Sequence, residues 1–187
     1  MKVLGIQTSP NVDGLTASMA LAALRGAEAA GAETELVHLR KLDLRACLAC
    51  EQGWGLCREE RRCIIEDDLE QVRRQIGAAD AVVVSTPVYF GEVSEITKVF
   101  FDRLRRCEWG VGEDSALYGT PVLAISAAGG SGGGVVTALE MLERYVAMVG
   151  LPLFDYLTVT RRSMDHKLRA AEEAGRRLVE FVVSEGM

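Results

Sequence analysis

The chain has 187 residues, 49% of them hydrophobic, which is enough for one substantial core and short for two, so a single domain over 1–187 is expected. A formal charge of −6, with 21 Lys and Arg scattered among 27 acids, excludes the basic face that a nucleic-acid partner needs. No apolar stretch approaches the roughly 20 residues of a membrane span, and the first residues enter a strand-like run rather than a basic flank with a hydrophobic segment. No membrane contact and a cytoplasmic location are therefore expected.

Five β-branched runs alternate with helical patterns: Val3 to Ile6, Glu35 to Leu39, Ala81 to Ser85, Val122 to Ser126 and Phe154 to Val159. That alternation predicts an α/β fold with helices on both faces of a five-stranded parallel sheet, and the length suggests strand order 2-1-3-4-5. The first helix spans Thr16 to Ala30 and stops at Gly31, a left-handed cap. Asp67 stands three residues before Glu70, a capping-box spacing that opens a helix to about Ala79. From Val93 to Arg106, the residues Val93, Ile96, Phe100 and Leu104 form one apolar stripe, widened by Val99 and Phe101. Such a helix is either deeply packed or also covers a subunit interface. Further helices are expected over Gly134 to Met148 and Asp165 to Val183. Between the second strand and the Asp67 helix lies an irregular stretch, about 40–66, holding four of the five cysteines and Trp54. A long connection of this kind inside a compact domain is usually functional.

Three segments follow strand-like runs and have the chemistry of one binding site. Thr8-Ser9-Pro10-Asn11-Val12-Asp13-Gly14-Leu15-Thr16 supplies small hydroxyls and a helix N-terminus, which suit a phosphate. It contains no G-x-G-x-x-G and no G-x-x-x-x-G-K-[ST], so a Rossmann dinucleotide site and a nucleotide triphosphatase are disfavoured. A carboxylate pair for Mg²⁺ and a loop cysteine for phosphatase chemistry are also missing. Thr86-Pro87-Val88-Tyr89-Phe90-Gly91 offers an aromatic surface beside a glycine that permits close backbone approach. Ala128-Gly129-Gly130-Ser131-Gly132-Gly133-Gly134 exposes a nest of backbone amides suited to negative charge. In an open parallel sheet such loops converge at the strands' carboxyl ends, where the winding direction reverses.

The pieces SPNVDGLTASMA, TPVYFGEVSEITKVFFDRL and SAAGGSGGG, in this order and spacing, resemble the NAD(P)H-dependent FMN reductase family and, within the flavodoxin-like superfamily, the iron-sulfur flavoproteins. The resemblance covers nearly the whole chain and implies a flavodoxin-like three-layer sandwich that holds FMN without a covalent bond. It assigns the phosphate to Ser9, Asn11, Leu15 and Thr16. The ring edge and face go to Pro87, Val88, Tyr89, Phe90 and Gly91, with Tyr89 a candidate substrate contact. The pyrimidine end goes to Ala128, Gly129, Gly130, Ser131, Gly132 and Gly133. It further implies hydride from NAD(P)H, transfer to a quinone, flavin or other small electron acceptor, and a homodimer or homotetramer. The flavin carries such a reaction, so no acid–base dyad is expected. One departure is that the family often has a basic residue in the phosphate loop, where this chain has Asn11 and Asp13.

Cys47, Cys50, Cys57 and Cys63 follow C-x2-C-x6-C-x5-C. Four thiolates suit a [4Fe-4S] cluster or a tetrahedral zinc, Cys47 and Cys50 alone suit a redox pair, and all four can also remain metal-free. The iron-sulfur flavoproteins usually begin C-x2-C-x2-C, whose third position here is Gly53, so Cys57 replaces it only if the loop folds differently. The closing segment Cys63-Ile64-Ile65-Glu66-Asp67-Asp68 does resemble theirs. A cluster would make the protein an electron carrier between protein partners. A shape-changing cysteine loop without turnover would make it a redox sensor. Cys107 is expected to be buried as a small apolar residue. Trp54 and Trp109 are expected either to pack locally or to cover the flavin. His38 is expected to pack at the second strand, and neither His38 nor His166 has the partners hydrolysis requires.

Overall fold

A computed structural model describes residues 1–186. The strands are β1 (Lys2–Gln7), β2 (Glu33–His38), β3 (Ala81–Tyr89), β4 (Glu92–Val93), β5 (Val122–Ala128) and β6 (Leu153–Thr160). The helices are α1 (Leu15–Ala29), α2 (Leu56–Glu59), α3 (Leu69–Gly77), α4 (Glu95–Glu108), α5 (Val135–Met148) and α6 (Met164–Glu185). Five strands pair in parallel in the order β2-β1-β3-β5-β6, which is the expected 2-1-3-4-5 winding.

The sixth strand departs from expectation. The segment 86–91 is not a loop that begins after Ser85, because β3 continues to Tyr89 and folds back on β4, pairing Val88 with Val93 and Tyr89 with Glu92. The turn residues are Phe90 and Gly91, at φ +52° and +86°, the primed geometry that suits a two-residue hairpin. Pro87 is the turn signal in the sequence, yet it lies inside the strand opposite Ala127.

Strands β3 and β5 are buried on both faces over most of their length, which is why they appear in the sequence as unbroken apolar runs. Alternate side chains divide between two cores. Leu4, Ile6, Val82, Val84 and Ala124 face α3, α4 and α5, whereas Val3, Ala81, Val83, Leu123 and Ile125 face α1 and α6. The α1–α6 contact is nearly backbone on backbone. A Cβ on Gly26 would lie 1.8 Å from the Glu172 carbonyl oxygen, and one on Gly175 would lie 1.8 Å from that of Ala23. The alanine-rich sequence of α1 follows from this proximity.

Gly31 ends α1 at φ +91°, as the sequence predicts, with its N–H donating to the Glu28 carbonyl at 2.9 Å. The predicted capping box at Asp67 does not form. Asp68 occupies the cap position, but its side chain accepts from the Asp43 N–H at 2.7 Å rather than from the helix, and the Asp67 carboxylate accepts the Leu69 N–H at 3.2 Å while Arg103 of α4 engages it from across the fold. The α4 stripe is spent inside the chain: Ile96, Phe100, Phe101 and Leu104 are buried, and Phe101 packs on Tyr145 with ring centroids 5.6 Å apart.

Candidate functional site

The segments after β1, β3 and β5 leave neighbouring strands at the same sheet edge, at the point where the winding direction reverses. Buried hydroxyls hold the first two together. Thr97 Oγ1 donates to Thr8 Oγ1 at 2.7 Å, Ser94 Oγ donates to the Thr8 carbonyl at 3.1 Å, and the Ser94 N–H donates to Thr86 Oγ1 at 3.2 Å. The N-terminal end of α4 is thereby fixed to the start of the phosphate loop. Gln7 Nε2 donates to the Asn11 carbonyl at 3.0 Å and is itself held through Oε1 by His38 Nδ1 at 3.2 Å. Burial, with Lys41 nearby, pushes the His38 pKa below its ordinary value. His38 thus supports the loop from beneath.

Within that loop the Asn11 N–H donates to Ser9 Oγ at 3.1 Å. Gly14 caps α1 in an extended conformation, and no side chain bonds to the first-turn N–H groups around Leu15 and Thr16. An anion is the partner such donors suit. Residues 129–134 are similar, since the N–H groups of Gly129, Gly130, Ser131 and Gly132 have no protein acceptor among the described residues.

The hairpin and the glycine segment touch. A Cβ on Gly134 (φ +85°) would fall 2.3 Å from Gly91 Cα, and Thr137 Oγ1 donates to the Gly91 carbonyl. Phe90 protrudes fully into solvent, Tyr89 is 38% exposed and Val88 is partly covered. A phenyl ring in water on a left-handed backbone residue is doubly unfavourable, a combination that marks functional positions. Burial and Glu95 push the Tyr89 hydroxyl above its ordinary pKa against the opposing pull of Arg40, so it keeps its proton. Donor-rich ends flanking an aromatic hairpin fit a phosphorylated ring system. Sequence reasoning included Thr8 and Thr86 in two of the segments without seeing their bonding, and it missed Ser94, Thr97 and also Arg161, whose guanidinium lies 3.8 Å from where a Gly129 Cβ would stand.

At the other end of α4 the four predicted cysteines come together. Cys47, Cys50, Cys57 and Cys63 line one cavity with Gly53, Ile65, Arg103 and Arg106. The loop does fold so as to bring Cys57 in. Ala49, Glu51 and Gln52 take positive φ, and the short α2 turn carries Cys57 inward. Gly53 lines the cavity with its backbone, and its carbonyl accepts from Arg106 Nη1. Among the described residues no three His, Cys, Asp or Glu side chains are close enough to grip a single metal ion. That spacing does not suit one zinc, which needs all four sulfurs about 2.3 Å from its centre, while four thiols lining one cavity are the donor set that a [4Fe-4S] cluster takes.

Guanidinium groups hold this irregular segment by its carbonyls. Arg103 Nη1 donates to the Arg45 carbonyl at 3.0 Å and Arg73 Nη1 to the Arg61 carbonyl at 2.7 Å, which supplies backbone partners that a loop lacks. Asp67 holds Arg103 at 2.5 and 3.0 Å, with the two side chains 0% and 1% exposed. Trp54 and Trp109 stack on Arg105 and Arg106 of α4, with guanidinium-to-ring distances of 5.0 to 5.9 Å, and so take the local-packing role. Cys107 is fully buried, and that burial pushes its thiol up to about 12. No helix among the described residues is long and apolar enough to cross a membrane.

The doubly wound sheet with its working edge at the β1/β3 reversal places the chain in the flavodoxin-like class. The chain belongs to the NADPH-dependent FMN reductase family, whose profile matches residues 1–162, and its activity class is FMN-dependent oxidoreduction. It is 31% identical to an iron-sulfur flavoprotein of Methanocaldococcus jannaschii over 78% of this chain and 71% of that protein. A solved NAD(P)H:quinone oxidoreductase from Methanothermobacter marburgensis superposes with a TM-score of 0.72 at 18% identity, covering 95% of this chain and 96% of that one. An archaeal flavodoxin superposes at 0.63 with 16% identity, covering 97% and 99%.

Proposed function

We propose that the protein passes electrons from NAD(P)H through bound FMN to a quinone, flavin or other small acceptor. FMN supplies the hydride-accepting ring and the outlet for electrons. The protein supplies placement and electrostatics. Ser9, Asn11 and the first N–H groups of α1 at Leu15 and Thr16 hold the phosphate. Pro87 to Gly91 line the ring face and edge, and the amides of residues 128–133 receive charge at the pyrimidine end. Tyr89, which keeps its proton, is placed to donate toward substrate. The observation that carries this assignment is the set of unpartnered N–H groups after β1 and β5, the two strands that flank β3 and its exposed aromatic hairpin.

Anaerobic mixing with NADH and NADPH tests the proposal. Bound flavin absorbance should bleach with at least one of them and return with a quinone; no bleaching with either defeats it. A homodimer or homotetramer is the proposed working form, supported by the full exposure of Phe90 and measurable by sedimentation equilibrium.

The shared cavity of four cysteines favours a second role, in which FMN and a [4Fe-4S] cluster held by Cys47, Cys50, Cys57 and Cys63 relay electrons to protein partners. Iron and sulfide analysis after anaerobic purification separates the two roles. Four irons per chain are expected for the relay.

A further inference from the structure

The four-cysteine cavity holds a group that neither the FMN nor the cysteines account for. Arg103 lines the cavity and is 1% exposed. Two of its nitrogens are committed, Nη1 to Asp67 Oδ2 and the Arg45 carbonyl, and Nη2 to Asp67 Oδ1 at 3.0 Å and the Ile65 carbonyl at 3.4 Å. The third, Nε, is completely buried and has no hydrogen-bond partner. A buried donor left without an acceptor is destabilising, and more so on a charged group. The thiol of Cys63 lines the same cavity. Burial works to lower the Arg103 pKa, and the Asp67 and Cys63 side chains more than reverse this.

Charge points the same way. Arg106 also lines the cavity, binds the Gly53 carbonyl and stacks on Trp54 at 5.0 Å, with no carboxylate partner among the described residues. Asp67 neutralises one of the two guanidinium groups, so the cavity wall carries a net positive charge toward four sulfurs. Neutral thiols give that charge nothing to balance, whereas a thiolate-ligated centre does.

We infer that Arg103, fixed by Asp67, tunes this centre by donating its Nε–H to sulfur at the Cys63 corner of a cluster held by Cys47, Cys50, Cys57 and Cys63. The inference rests on the cluster role proposed above. A hydrogen bond to sulfur withdraws electron density and favours the reduced state, so its loss lowers the midpoint potential. Asp67 acts through Arg103 by fixing the guanidinium plane, which a lysine at 103 cannot reproduce.

The test uses anaerobically purified full-length holoprotein, reconstituted with iron and sulfide. With ¹⁵N-labelled arginine in the wild type, pulsed EPR of the reduced cluster should show a ¹⁵N coupling. The coupling should disappear in the double variant Arg103→Met/Asp67→Leu, which replaces the buried pair with apolar groups of similar size and is the substitution pattern most compatible with folding. In the double variant the ratio of reduced to oxidised cluster at fixed poise should fall about tenfold, or about 59 mV for one electron. Arg103→Lys should fall in the same direction while circular dichroism stays unchanged. A wild type without ¹⁵N coupling overturns the inference, as does a folded variant with unchanged coupling and potential. A wild type that takes up no iron removes the cluster role itself and the inference with it, a result distinct from an iron-loaded protein indifferent to Arg103.

Discussion

The two ends of α4 are held by opposite physics. At its N-terminal end Ser94 and Thr97 join Thr8 and Thr86 through neutral hydroxyls, all buried, with no charge involved. At its C-terminal end Arg103 and Arg106 grip carbonyls and a carboxylate around four thiols. From Ser94 to Arg103 is nine residues, about 13 Å of helix rise. A neutral network positions a loop without biasing the charge of its ligand, whereas a cationic wall selects for an anionic occupant. One rigid element therefore borders two candidate sites in different electrostatic surroundings.

The contrast is broken most forcefully at Asp67. Asp67→Asn leaves Arg103 buried without its counter-charge and should cost about 3–5 kcal/mol, measured by urea unfolding. Thr97→Val, at the other end, should cost about 1–3 kcal/mol, the penalty of unsatisfied buried hydroxyls. Equal losses would mean that the ends do not differ as described.

Acid sharpens the same comparison. Burial works to raise the Asp67 carboxyl, but hydrogen bonds from Arg103 and from the Arg45 and Leu69 N–H groups hold it below the usual carboxylate range. The stability it contributes is complete above the ordinary aspartate value of about 3.9 and is lost as pH falls through the lower folded value. Urea midpoints followed from neutral pH downward should thus fall further in wild type than in Asp67→Asn. Thr97→Val should track the wild-type slope, since no proton is exchanged there.

Smaller effects test the flavin end alone. The Cβ of Gly134→Ala would fall 2.3 Å from Gly91 Cα and the residue would have to keep a left-handed conformation, so FMN affinity should drop about tenfold or more, about 1.4 kcal/mol, by fluorescence titration. Phe90→Asn relieves the strained backbone and should leave stability unchanged or raise it by about 0.4–1 kcal/mol while weakening flavin binding. Cys107 should stay unlabelled by iodoacetamide in the native protein at pH 8, because its thiol stays protonated and buried.

The layer order, five strands and the end of α1 at Gly31 were legible because each depends on local pattern: β-branched runs, helical spacing and a glycine with positive φ. The positions of the three candidate segments at the ends of β1, β3 and β5 were legible for the same reason. The hairpin at 86–91 was misread because Pro87 signals a turn by itself, whereas β4 exists only through pairing with β3. Asp67 was misread because its spacing to Glu70 is a local signal, and the partner that claims it lies 36 positions away on α4. The hydroxyl network was invisible for a related reason, since Thr8 and Thr97 are joined only by folding. Cys57 does line the cavity with the other three cysteines, but only the backbone reversals at Ala49, Glu51 and Gln52 show how it reaches it.

The glycine crossing of α1 and α6 has a mechanical outcome. With main chain touching main chain at Gly26 and Gly175, the last helix is a buttress behind the rod whose tip faces the phosphate loop. A methyl group added at either glycine would wedge the two rods apart and tilt that tip, so the candidate site would be disturbed from a crossing that lies outside it.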